Sequence, residues 1–89
     1  MKQILYGRGF LKDLQRAKKR GKALTKIEGV IDLLVQEKPL PAKNKNHKLK
    51  GEYKDCLECH IEPDWLLIYQ KTKDEIILMR TGSHADLFE

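Results

Sequence analysis

Five residues of this 89-residue chain have the types and spacing to do chemistry: His47, His60, Asp64, Arg80 and His84. None of the histidines falls in a helical apolar stripe. His47 stands in a lysine-rich loop, His60 on the polar side of a strand-like run, and His84 just past the last such run. Imidazole titrates near neutrality, so one ring can take a proton while another gives one, each step worth roughly 10²–10⁴-fold in rate. A guanidinium such as that of Arg80 holds the negative charge that builds on phosphoryl oxygens. The set therefore suits metal-free acid–base cleavage of a phosphodiester, and RNA brings its own nucleophile in the 2′-OH. A lone histidine is more often a surface or core residue than a catalyst, and three of them also suit a His₃ zinc site. No His-x-His or His-x-x-x-His pair is present, however, to pre-form two ligands.

A second motif competes for the same stretch. "CLECH", Cys56 to His60, has the C-x-x-C-H form of a covalent haem attachment. In a strand, positions i and i+3 point to opposite faces, so Cys56 and Cys59 do not grip one ligand while the strand holds. A structural zinc site would want a second ligand pair, which is absent. Cys59 reads as a small buried apolar residue and Cys56, facing the other way, as a free thiol. No cofactor and no metal are expected.

The elements that position these groups follow from periodicity. Residues 2–7 read as a short strand. Phe10, Leu11, Leu14 and Ala17 form a helical stripe stopped by Gly21; Leu24, Ile27, Ile31 and Leu34 form a second, ended before Pro39. The two short helices make an antiparallel hairpin. "KPLPAKNKNHKLKG" breaks all periodicity and reads as a solvated basic loop. From Glu52 the period is two, with Tyr53, Leu57, Cys59 and Ile61 on one face and Lys54, Cys56, Glu58, His60 and Glu62 on the other. Residues 65–69, WLLIY, read as a central strand; Lys71 to Asp74 turn the chain, and residues 75–81 pair back. Ser83-x-x-Asp86 has the form of a capping box, so a last helical turn begins there. The order β-α-α-β-β-β predicts an α+β fold, a small antiparallel sheet with the N-terminal helical hairpin on one face.

With 40% apolar residues and two cysteines, the chain predicts one two-layer domain over residues 1–89, without a disulfide framework. No signal pattern and no membrane span are legible, which makes a soluble cytoplasmic protein the expectation. The net charge of +5 is unevenly spread: residues 1–50 hold 14 Lys/Arg against 4 Asp/Glu, and residues 51–89 hold 4 against 9. A basic half focuses a positive field on a polyanion, and Lys43, Lys45, Lys48 and Lys50 around His47 are the candidate phosphate contacts. Trp65 and Phe88 are the candidates for stacking a base. The plain alternative is that the lysines merely solvate helices and a loop.

Three pieces of sequence sharpen this picture: "NHKLKGEYKDCLECHIEPDWLLIY", "LMRTGSHADLF" and the Lys/Arg-rich hairpin before them. Over almost its whole length the chain resembles the RelE/ParE superfamily of toxin–antitoxin toxins, specifically the YafQ-like branch. The resemblance implies a small antiparallel sheet with an N-terminal helical pair and a metal-free endoribonuclease that cuts mRNA on the ribosome. It also implies a cognate acidic antitoxin as partner. The family's site residues fall on His47, His60, Asp64, Arg80, His84 and Phe88; Cys56 and Cys59 belong to no part of the motif. Two assignments stay open, with His60 (helped by Asp64) or Asp64 itself as base, and His84 as acid. Rival readings are a ParE-like topoisomerase inhibitor or a ribosomal-RNA-binding module, and a metalloprotein.

Overall fold

The computed structural model describes residues 1–53 and 55–88, without the side chain of Glu52. Five strands form one sheet: β1 (Gln3–Tyr6), β2 (His47–Lys48), β3 (Leu57–Glu62), β4 (Trp65–Lys71) and β5 (Glu75–Gly82), in the spatial order β1-β5-β4-β3-β2. Helices α1 (Arg8–Lys19) and α2 (Leu24–Val35) follow β1, and a single helical turn, α3 (His84–Phe88), closes the chain. The α+β fold and the helical pair are as read from the sequence, and the sheet differs in two respects. β1 runs parallel to β5, so the sheet is mixed, because two consecutive helices carry the chain back over one face before the next strand. The basic loop contributes a fifth strand, a two-residue one too short to show periodicity.

The long strand expected from Glu52 begins only at Leu57; residues 51–53 form a 3₁₀ turn and Asp55 adopts a positive φ of 69°. Lys54, assigned by alternation to the polar side, lies outside the described residues.

The sheet carries apolar side chains on both faces. Cys59, Trp65, Leu67, Tyr69, Ile76 and Leu78 pack against Phe10, Ala17, Ile27, Val30 and Leu34 of the helices. Leu66, Ile68, Cys56 and Leu87 form a smaller cluster on the opposite face. Full burial of a large apolar side chain contributes about 1.5–3 kcal/mol, so the helix side holds most of the stability and the other face is left largely free. Leu11, counted in the α1 stripe, is exposed; the buried positions of α1 are Phe10, Asp13 and Ala17. The two cysteines are free and buried on opposite faces, and burial pushes the Cys59 thiol up to about 12.

Two irregularities break the alternation. Between His60 and Glu62 the pairing with β4 shifts, so His60 opposes Leu66 while Glu62 opposes Trp65. Glu62 is thereby turned to the helix side, where Lys22 and Lys26 donate to it at 2.8 and 2.7 Å, and does not share the face of His60 as alternation predicts. In β5, Leu78 opposes Tyr69 but Arg80 opposes Ile68, leaving Met79 as the extra residue. Without that bulge, Arg80 would follow Ile76 and Leu78 into the helix-side core.

The capping box forms as expected. Asp86 N–H donates to Ser83 Oγ at 3.1 Å, and Ser83 N–H donates to Asp86 Oδ2 at 2.9 Å. Arg20 of the helical hairpin also grips Asp86, at 2.7 and 3.2 Å. These bonds, the one from Arg20 first, hold the Asp86 carboxyl well below the usual carboxylate range. A carboxyl with a depressed folded-state pKa contributes its stability fully above the unfolded value and loses it only as pH falls through the folded one. Docking of α3 should therefore persist at about pH 4, near the ordinary carboxyl pKa. At neutral pH, Asp86→Ala should speed amide exchange of α3 by roughly fivefold or more, since a cap is worth about 1 kcal/mol. The sheet amides should not change; equal acceleration across the sheet would show that Asp86 supports the whole fold and not α3 alone.

Candidate active site

His47, Glu58 and His60 share the sheet face turned away from α1 and α2. His60 opposes Leu66, Glu58 opposes Ile68, and His47 of β2 opposes Glu58. Asn44, buried in the loop, donates to the His60 carbonyl at 2.6 Å and fixes the approach to β2. His84 and Phe88 come from α3, one helical turn apart. The result is a run of rings: His47 to His60 at 6.4 Å, His60 to His84 at 5.9 Å, and His84 to Phe88 at 6.5 Å between centroids. Tyr53 closes it edge-on to Phe88 at 5.7 Å.

Carboxylates orient the imidazoles. Asp64 Oδ1 accepts the His84 backbone N–H at 2.9 Å and lies 2.6 Å from its ring Nδ1. The backbone bond first, then the ring bond, hold the Asp64 carboxyl below its usual range. An ionised carboxylate only accepts, so the neutral His84 ring carries its hydrogen on Nδ1 and leaves the unshared pair of Nε2 free. On the neighbouring strand, Glu58 Oε1 lies 3.3 Å from His60 Nε2 and 3.4 Å from His47 Nε2, its side chain only 7% exposed. His47 Nδ1 also faces the Lys45 carbonyl at 2.8 Å. Both nitrogens of His47 thus face acceptors.

Arg80 reaches this face through the Met79 bulge. Beyond the last β1 pairing at Leu78 its guanidinium leans onto α1, where Nε and Nη2 donate to Asp13 at 2.5 and 3.2 Å. The bonds to Asp13 raise the Arg80 pKa still further, against the opposing effect of burial.

Of the residues picked out by the sequence, the structure gathers His47, His60, Asp64, His84 and Phe88, with Arg80 at the margin. Two expectations are corrected. Asp64, expected beside His60, is paired with His84, because the β3–β4 turn carries it past the end of β3 toward α3. Trp65, expected to stack a base, is 2% exposed, with its indole N–H donated to Thr81 Oγ1 at 2.9 Å and Lys22 over its ring; it is a core residue. The loop lysines Lys43, Lys45, Lys48 and Lys50 are all exposed. Two carboxylates of the site escape a reading by motif. Glu58 is signalled only by sharing the strand face of His60, and Asp13 only as the one acid in a basic helix, on the stripe between Phe10 and Ala17.

The family model described as "Bacterial toxin of type II toxin-antitoxin system, YafQ" matches residues 2–89. The chain belongs to this YafQ family. The mRNA interferase toxin YafQ of Escherichia coli K12 is 41% identical over 88 residues, covering 98% of this chain and 96% of its own. The E. coli DinJ–YafQ toxin–antitoxin complex contains a chain of the same fold, with a TM-score of 0.92 at 40% identity over 99% of this chain and 98% of that one. A metal-bound toxin from Helicobacter pylori superposes with a TM-score of 0.93 at 43% identity, over 99% of this chain and 100% of that one. In the present YafQ-family chain, no three His, Cys, Asp or Glu side chains among the described residues converge as a metal-holding set.

The Asp64–His84 pair generates a direct check. Nitrogen NMR of the neutral protein should find the His84 hydrogen on Nδ1, and Asp64→Ala should shift it toward Nε2. A wild-type ring already carrying its hydrogen on Nε2 would contradict the pairing.

Proposed function

We propose that this toxin is an endoribonuclease that cuts mRNA on the ribosome by metal-free acid–base chemistry, with the RNA 2′-OH as nucleophile. The observation that carries the reading is the pairing of two imidazoles with two carboxylates on one open sheet face, His60 with Glu58 and His84 with Asp64, their rings 5.9 Å apart. In-line transfer needs a proton acceptor and a proton donor on opposite sides of one phosphorus. The name of the E. coli relative, an mRNA interferase toxin, supports the substrate class.

In this mechanism His60 draws the proton from the 2′-OH through the nitrogen not turned to Glu58. In its doubly protonated form His84 gives the proton from Nε2 to the departing 5′-oxygen and is left as the neutral ring with its hydrogen on Nδ1. Asp64 holds the His84 ring in place during the transfer. Asp64 is poorly suited to be the base itself, since its hydrogen bonds hold it ionised at low proton affinity. His47 orients the phosphate, Arg80 takes the non-bridging oxygens, and Phe88, 46% exposed, stacks a neighbouring base. Lys43, Lys45, Lys48 and Lys50 hold flanking phosphates. Cleavage leaves a 2′,3′-cyclic phosphate and a 5′-OH. A cognate antitoxin, acidic where it meets the basic N-terminal half, restrains the toxin; the E. coli relative is found in such a complex with DinJ. A non-catalytic ParE-like toxin or a ribosomal-RNA-binding module would need the basic surface and the fold but not the paired imidazoles.

The test is cleavage and binding measured together on translating ribosomes. Ala substitutions at His47, His60, Asp64 and His84 should each slow cleavage by about tenfold or more with binding nearly intact. Replacing the four loop lysines together should weaken binding and flatten its log–log salt dependence by about 0.7–0.9 for each phosphate no longer neutralised. Full cleavage by the histidine variants would reject the catalytic reading, and an unchanged salt slope would reject the role of the lysines.

A further inference from the structure

We infer that Asp13 is the positioning residue for Arg80, an assignment that rests on the role proposed for Arg80 at the phosphate. Asp13 is the only acidic residue of α1, and its side chain is 3% exposed. A carboxylate taken so far out of water needs several partners. It has the Nε and Nη2 donors of Arg80 at 2.5 and 3.2 Å, the backbone N–H of Thr81 at 3.1 Å, and Arg16 at 3.9 Å. The grip on Arg80 is side-on. It uses the Nε edge of the guanidinium and, apart from the neighbouring Tyr53 hydroxyl, leaves the hydrogens of Nη1 and the outer hydrogen of Nη2, the end-on fork that matches two oxygens of a phosphate.

Gly9 completes the device one helical turn earlier. A Cβ there would come within 2.8 Å of Arg80 Cδ, so the missing side chain is the channel through which the Arg80 stem passes to Asp13. Gly9 and Asp13 stand at i and i+4 on α1, on the same side of the helix. The Thr81 bond pins the backbone just after the Met79 bulge that turns Arg80 to the site face. Channel, carboxylate and bulge together fix where the arginine head can be, and a free arginine on a strand would have many rotamers to choose among.

A merely structural ion pair between α1 and β5 would have the same contacts, and the two roles separate in a double-mutant cycle on cleavage of ribosome-bound mRNA. Asp13→Asn keeps an acceptor for Thr81 but loosens the guanidinium; it should lower kcat by about tenfold or more, since misplacing a reacting group by 1 Å costs about 10²-fold, with KM within about twofold. In an Arg80→Ala background the same substitution should change kcat by less than about twofold, because the residue it positions is gone. Gly9→Ala, which favours the helix by propensity, should leave the thermal midpoint unchanged or raise it and still lower kcat. Multiplicative losses in the double variant, or an unaffected kcat in Asp13→Asn, would overturn the inference. Arg80→Ala with wild-type kcat would instead overturn the role of Arg80 on which it rests.

Discussion

Side-chain alternation in the sheet is the constraint on which the rest of this molecule depends. A strand offers every second residue to each face, and one face here packs against the two helices. In the proposed mechanism the groups that meet RNA emerge on the other face, whose apolar cluster is small. Two bulges adjust the alternation. The one at Ile61 leaves His60 on the open face and sends Glu62 to the lysines of the helical hairpin. The one at Met79 brings Arg80 out of the core register.

Electrostatics then organises what the sheet exposes. Acidic groups near the site serve as holders of cationic or titrating partners: Glu58 under His47 and His60, Asp64 on His84, Asp13 on Arg80, Asp86 on Arg20. Arg16 lies within 3.9 Å of Asp13 and 3.5 Å of Asp86, so α1 links the arginine side of the site to the short helix that carries His84. The basic excess of the N-terminal half is thus partly neutralised by ion pairs within the fold, and the loop lysines stay exposed.

Most of the architecture is legible from periodicity. The helical stripes, the WLLIY core strand and the Ser83–Asp86 capping box are each local patterns whose physics is complete within a few residues. What is not legible depends on pairing across the chain. The direction of β1 is fixed by where α2 ends, β2 is too short to carry a period, and neither bulge leaves a mark in composition. That is why alternation puts Glu62 on the wrong face, and why Asp64 reads as the partner of the nearer histidine in sequence and not of the nearer one in space. Trp65 misleads because an aromatic beside a motif aspartate looks available for stacking, whereas its indole N–H has a buried partner in Thr81. The histidines themselves are identifiable by type, motif and family resemblance; their carboxylate partners need the register.

In the proposed mechanism His60 and His84 work from opposite sides of one phosphorus, the first as base and the second as acid. The most direct measurement is single-turnover cleavage of ribosome-bound mRNA carrying a bridging sulfur in place of the 5′-oxygen at the cut site, a leaving group that departs without a proton. This substrate should restore the rate of His84→Ala to near that of the wild type and leave His60→Ala as slow as before. Rescue of His60→Ala with no rescue of His84→Ala would contradict it and reverse the two roles.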